Sequence, residues 1–127
     1  MPTFAITEKV VIDSASITQA QSITAGSRVQ IDESISVGTD TLVALNVDVS
    51  QVRACYIHSD KAITLETNAV DATGGNTLVL VADLPYVWYT NKYDSFKFTA
   101  DITALYVTNA AGASARLRME FLIDPTV

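Results

Sequence analysis

The fold is decided by the stretch TLVALNVDV, residues 41–49. Large apolar residues alternate there with small or polar ones, so two sets point in opposite directions: Val43, Leu45, Val47 and Val49 against Ala44, Asn46 and Asp48. Side chains alternate between two faces along an extended chain, whereas a helix groups residues three or four positions apart. The stretch therefore predicts a β-strand with one buried face and one exposed face.

The same period of two recurs in RLRMEFLI, residues 116–123. One face carries Leu117, Met119, Phe121 and Ile123, and the other carries Arg116, Arg118 and Glu120. Similar but weaker patterns predict further strands over residues 4–12, 17–23, 28–31, 52–58, 62–67, 77–82, 96–99 and 102–108. Residues 77–82 form a nearly continuous apolar run, which predicts a strand that is covered on both faces.

Residues that favour turns separate these segments. Residues 59–61 join two strands closely and predict a tight hairpin, and residues 73–76 predict another because a strand pattern follows the two glycines. No segment has a helical stripe, and at most a single turn is predicted at residues 50–52 or 70–73. About eight to ten short strands at this spacing predict an all-β, antiparallel sandwich or barrel in one domain, residues 1–127.

The N-terminal third has less contrast between its faces. Residues 1–12 are a candidate extended arm. Residues 14–36 are rich in Ser, Thr, Gln and Ile, a composition that specifies strand register poorly. They are either ordinary edge strands, or an arm or strands that depend on a neighbouring subunit.

Composition limits the possible partners. The chain is 49% hydrophobic and only 17% charged, which predicts a folded domain with apolar surface covered by another subunit. A net charge of −6 disfavours nucleic acid and anionic membranes, because both are bound mainly through Lys and Arg. Its first residues lack the pattern of a signal peptide, and the apolar stretches are too short to span a bilayer, so we expect a soluble, non-exported protein.

Few residues are arranged for chemistry. The single cysteine, Cys55, and the single histidine, His58, lie three apart on a predicted strand and so point to opposite faces. A zinc site needs at least one more ligand, the carboxylates are scattered near turns, and no calcium-loop pattern occurs. We therefore expect no catalytic residue, no metal and no cofactor, and we interpret the protein as a non-enzyme.

The clearest binding signal is a group of aromatic residues that follows Pro85: Tyr86, Trp88, Tyr89, Tyr93, Phe96 and Phe98. These rings cap the core, anchor a subunit or partner interface, or stack on sugars. The sugar-binding interpretation requires Trp88 and Tyr89 to be exposed and coplanar. The candidate interface residues are Phe4, Tyr86, Trp88, Tyr89 and Tyr93.

Five segments that follow one another in order carry a family resemblance: YIHSD (56–60), TLETN (64–68), PYVW (85–88), DITALYVTN (101–109) and FLIDP (121–125). Over residues 41–125 the chain resembles the small all-β decoration, cement or head-associated proteins of tailed bacteriophages. The resemblance implies a jelly-roll or related sandwich that binds the major capsid protein on the outer surface of the virion, as a homotrimer assembled in the host cytoplasm. It implies no catalytic residues.

Two functions are therefore expected from the sequence. The first is a structural virion protein that stabilises a phage head by adhesion, with residues 1–12 and 86–98 as contact regions. The alternative is a carbohydrate-binding or receptor-binding β-sandwich module of a phage tail or fibre.

Overall fold

The computed structural model describes residues 1–70 and 75–126, and all regular structure in them is β-strand apart from one 3-10 turn. The strands are β1 (Thr3–Ile12), β2 (Ala15–Thr24), β3 (Ser27–Ile35), β4 (Gly38–Val43), β5 (Val52–Ser59), β6 (Ile63–Thr67), β7 (Thr77–Leu80), β8 (Tyr86–Tyr89), β9 (Leu105–Asn109) and β10 (Ala115–Ile123). Every strand pair is antiparallel, so the predicted all-β antiparallel class is confirmed. The described residues contain no helix long and apolar enough to cross a membrane.

Two four-stranded sheets form the body of the protein. The front sheet has the order β3-β10-β5-β8 and the back sheet the order β4-β9-β6-β7, while β1 and β2 pair only with each other. The inner faces of both sheets contribute to one apolar core, which makes the body a β-sandwich. Successive strands from β3 to β10 pass from one sheet to the other, except β6 and β7, which pair as neighbours in the back sheet.

The alternation along β10 builds the centre of the core. Leu117, Met119 and Phe121 are completely buried, whereas Arg116 and Arg118 on the opposite face are exposed. β10 lies between β3 and β5, so both of its edges are hydrogen-bonded. The Phe121 ring meets the Phe98 ring edge to face, with centroids 6.4 Å apart, a favoured geometry for aromatic pairs.

The strand predicted over residues 41–49 is shorter than expected. Burial alternates as predicted through Val43, Leu45 and Val47, but the strand ends at Val43 and only Val47 pairs again, with Ile102. Asp48 stops the extended chain because its carboxylate accepts the Ser50 N–H at 3.0 Å and caps a 3-10 turn over Val49–Gln51. This turn lies one residue from the predicted position at 50–52; residues 71–73 of the other predicted turn lie outside the described residues.

Two further predictions of local structure are wrong. The strand at residues 77–82 is not covered on both faces, because the outer face of β7 is open to solvent at Val79, and Val81, just beyond β7, is exposed as well. Residues 59–61 do not form a hairpin, since β5 and β6 belong to different sheets. The Ser59 hydroxyl accepts the Lys61 N–H at 3.2 Å and donates to the Lys61 carbonyl at 2.7 Å, which folds the chain over from front to back.

The aromatic region also differs from its predicted structure. Residues 96–99 form no strand; instead the rings of Phe96 and Phe98 enter the core, and the Thr99 N–H bonds the side chain of Asn76 at 3.0 Å. Residues 86–89, which no strand prediction covered, form β8 beside β5. β6 and β7 pair as antiparallel neighbours, but Thr73 and Gly74 of the predicted reversal at residues 73–76 lie outside the described residues.

Candidate binding surface

A long β-hairpin precedes the sandwich. β1 and β2 pair without interruption from Thr3 opposite Thr24 to Ile12 opposite Ala15. The loop between them has two residues, and Asp13 adopts a left-handed backbone with φ of 55°. Short loops of this kind match the twist of the flanking strands, and Asp tolerates the left-handed region better than most residues. The candidate arm, residues 1–12, is thus one strand of a hairpin.

The base of the hairpin is fixed to the outer face of the front sheet. Phe4, Ile6 and Ile23 pack against a second apolar cluster whose buried members are Ala25, Ala54, Tyr89 and Leu122. This cluster exists because neighbouring residues of a strand point to opposite faces: Phe121 enters the main core, and Leu122 faces the hairpin. The front sheet is therefore apolar on both faces at this end.

Hydrogen bonds supplement the apolar packing of the hairpin. The Ala25 N–H donates to the Pro2 carbonyl at 3.2 Å, and the hydroxyls of Thr3 and Thr24 lie 3.2 Å apart. Farther along the hairpin, the Tyr89 hydroxyl donates to Glu8 Oε1 at 3.3 Å. Burial and the neighbouring Glu8 carboxylate raise the pKa of Tyr89, so the phenol stays protonated and able to donate this bond.

Beyond its base the hairpin is open to solvent: every residue from 7 to 20 is exposed. We call residues 9–18 the hairpin tip. Its strand register continues the buried face of the base onto Val10, Ile12 and Ile17, which are mostly exposed. The opposite face of the tip carries Lys9, Val11, Ser16 and Thr18, and Val11 is its one large apolar residue. The hairpin tip thus presents an apolar face that the rest of the chain does not cover.

The four candidate interface residues that follow Pro85 occupy three different environments. Tyr86 and Trp88 pack against the main core, whereas Tyr89 is buried under the hairpin and Tyr93 is fully exposed. Trp88 stacks on Phe96 with centroids 4.6 Å apart, and its Nε1 donates to the Asp94 carbonyl at 3.0 Å. Since Trp88 and Tyr89 point to opposite faces of β8, they do not form the coplanar pair that the sugar-binding interpretation requires.

The structure brings the two predicted contact regions together. A groove of about 300 Å³ runs between the hairpin and the loop after β8; its walls are Glu8, Gln19, Gln21, Tyr89, Asn91, Lys92, Tyr93 and Asp94. Lys92 Nζ donates to the Val87 carbonyl at 2.8 Å and lies 5.7 Å from the Tyr89 ring centroid, so it protects the free edge of β8. Residues 8–21 of the hairpin, which include the tip, and residues 89–94 together form the hairpin–loop surface.

Sequence reasoning missed the residues that hold this surface together. Phe4 and Tyr89 do meet in the second cluster, but Ala54 and Leu122 were not identified as their partners. A signal was present, because Phe121, Leu122 and Ile123 interrupt the alternation of β10 with three consecutive apolar residues. Such a break indicates a strand with an apolar partner on both faces.

The cysteine and histidine lie apart, as their spacing predicted. Cys55 is completely buried in the main core, and burial raises the pKa of its thiol. His58 is on the outer face, where its ring stacks on Tyr56 at 6.3 Å and its Nε2 lies 3.5 Å from Asp83 Oδ1. Within residues 1–70 and 75–126, no group of three His, Cys, Asp or Glu side chains could hold a metal ion.

Tyr86 gives the sandwich a pH dependence. Burial raises its pKa from 10 to about 12, although the Lys97 N–H donates to its hydroxyl oxygen at 3.0 Å. Because the folded pKa is above the unfolded one, this contribution to stability is complete below pH 10 and is lost as pH rises towards 12. We expect the free energy of unfolding to fall by about 1–2 kcal/mol over that range, from this residue alone.

Urea titrations of Tyr86→Phe between pH 9 and 12 test this expectation. The variant should lose part of the alkaline decline, whereas Tyr93→Phe, at a fully exposed ring, should keep all of it. Equal declines in the wild type and in Tyr86→Phe would contradict the assignment to Tyr86.

Comparison with protein-family models, with curated proteins and with solved structures finds no match for this chain.

Proposed function

We propose that the protein is a structural, non-enzymatic protein that coats the head of a tailed bacteriophage, where it binds the major capsid protein on the outer surface. In this proposal the chain acts as a homotrimer and stabilises the shell by adhesion. The hairpin–loop surface makes the contacts with the shell and between subunits.

One observation carries the proposal: a hairpin with an apolar, solvent-exposed tip is anchored firmly to a closed sandwich. Its base is held by a buried apolar cluster and by the Tyr89–Glu8 hydrogen bond, so the hairpin projects from a fixed point on the sandwich. Tyr93, an exposed aromatic of the type that anchors interfaces, lies beside it across the groove. A rigid body with a projecting adhesive element suits a protein that joins neighbouring molecules.

The strand order supports the finer part of the fold expectation. Eight strands, β3 to β10, divide into the orders β3-β10-β5-β8 and β4-β9-β6-β7. We propose that this double-sheet arrangement is a jelly roll, an architecture that also occurs in viral capsid proteins. Repetition around a shell would multiply a modest contact per copy into strong attachment.

Co-sedimentation tests attachment. The protein is mixed with expanded, DNA-free shells assembled from the major capsid protein of the phage that encodes it. We expect saturable pelleting and a higher melting temperature of the shells. Protein that stays in the supernatant at saturating concentration would refute the proposal.

A matched pair of variants locates the contact. Tyr93→Ala should weaken pelleting without changing the thermal stability of the free protein, because Tyr93 is fully exposed. Val79→Ala changes an exposed residue at the edge of the back sheet and should leave pelleting unchanged. If Val79→Ala has the larger effect, the back sheet rather than the hairpin–loop surface faces the shell.

A further inference from the structure

We propose that the apolar face of the hairpin tip is a self-association site, and that its occupant is the hairpin tip of a second copy of this chain. The inference deepens the proposed function, since it identifies what joins the subunits of the expected trimer. It does not depend on what the assembled protein binds.

The first argument is the continuity of one face. At the base of the hairpin this face is buried through Phe4, Ile6 and Ile23. The uninterrupted register places Val10, Ile12 and Ile17 on the same face beyond the body, where Ile17 is 72% exposed. Two isolated strands are only marginally stable in water, so a further apolar layer is needed to order this end of the hairpin.

The second argument is charge. From residue 10 to residue 27 the sequence contains a single charged side chain, Asp13 in the loop. The whole chain carries a net charge of −6, so most surfaces of two copies repel each other. The apolar face of the hairpin tip carries no charged side chain, so two copies can approach through it without placing like charges together.

The third argument comes from the other exposed apolar residues. On the outer face of the back sheet, Leu42 and Val79 lie among polar neighbours. On that face Glu66 lies between its strand partners, Tyr106 of β9 and Thr77 of β7. Asp40 is hydrogen-bonded to Thr108. Docking an apolar tip there would take more polar surface out of water, whereas the contacting face of a second tip is formed by Val10, Ile12 and Ile17.

The size of the site indicates more than one contact per copy. The exposed side chains of a single tip supply an area on the order of 300 Å², well below the ~800 Å² per partner of a standard interface. In a cyclic trimer each tip packs between two others, so side chains at the hairpin edges are buried in addition to those of the apolar face. This is the arrangement that we infer.

Solution mass tests the inference directly. Light scattering of the full-length protein should give a multiple of the 13.6 kDa chain mass. Ile17→Lys should reduce it to the single-chain mass, because a lysine on each tip puts like charges together in the contact. Val79→Lys is the matched control, since Val79 is 68% exposed on the opposite side of the sandwich, and it should leave the mass unchanged.

Cysteine crosslinking tests which face is covered. Cys55 is buried, so an added cysteine is the reactive one. Under mild oxidation, Ile17→Cys should form disulfide-linked dimers at least ten times faster than Thr18→Cys, which points to the other face of the same strand. Similar rates for the two variants would overturn the tip-to-tip contact.

A single-chain mass for the wild type at every concentration up to about 1 mM would also overturn the inference. So would dissociation by Val79→Lys instead of Ile17→Lys. Failure of shell binding with self-association intact would remove the proposed function and leave this inference standing. Shell binding by a strictly monomeric protein would overturn this inference and leave shell binding as the function.

Discussion

Replacing Phe121 with alanine should lower the free energy of unfolding by about 3–5 kcal/mol, the cost of deleting a large ring from a core that cannot collapse around the space. Phe121 is 0% exposed and lies on β10, which is hydrogen-bonded on both edges. Its ring also meets Phe98, which would lose an aromatic contact. Urea denaturation followed by tryptophan fluorescence measures the change, because Trp88 packs against the same core.

Phe4→Ala is the matched control for this prediction. It makes the same substitution in the second apolar cluster, where Phe4 is only partly buried beneath the hairpin. We expect a loss of about 1–2 kcal/mol, because the removed area is smaller and the hairpin can settle into the space. Equal losses for the two variants would mean that the hairpin and the sandwich form one core.

The period of two predicted the sandwich core well. The inward sets along residues 43–47 and 117–123 are buried as expected, because a strand in a two-layer protein must place every second residue inside. The same reasoning placed Cys55 and His58 on opposite faces. These conclusions depend on local geometry alone, which is why the sequence was sufficient for them.

The positions of strands within sheets could not be obtained in this way. The apolar run at residues 77–82 looks like a strand covered on both faces, yet β7 is an edge strand whose outer face is exposed at Val79. Edge and central positions depend on long-range pairing, on which local composition carries little information. The hairpin prediction at residues 59–61 is wrong for the same reason, since a short turn can join two strands of one sheet or two strands of different sheets.

The candidate surface was predicted in its parts but not in its arrangement. Residues 1–12 and the aromatic region were both identified as contact regions, and of the candidate interface residues Tyr93 is fully exposed. That Glu8 and Tyr89 would meet required knowing that the hairpin lies across the outer face of the front sheet. Trp88 illustrates the limit: an indole on a strand stacks on a core ring or on a ligand, and only the position of Phe96 decides between them.

Leu122→Asp should release the hairpin while the sandwich remains folded. Leu122 is 4% exposed and lies beneath the base of the hairpin, next to Ala54 and Tyr89. A carboxylate there cannot be buried without a partner, and lifting the hairpin is the least costly way to hydrate it. We expect the free energy of docking the hairpin on the sandwich to become less favourable by about 3–5 kcal/mol, because the apolar contact is lost and docking would bury a charge.

Amide hydrogen exchange separates the two layers in this variant. Docking that is weaker by 3–5 kcal/mol corresponds to protection at least about 100-fold lower across β1 and β2, whereas residues 115–121 of β10 should stay protected. Leu122→Met keeps the volume and the apolar character, so it should retain hairpin protection within about tenfold. Parallel loss of protection in the hairpin and in β10 would show that the two unfold as one unit. With the sandwich intact and the hairpin released, any self-association or shell binding that survives must come from another surface.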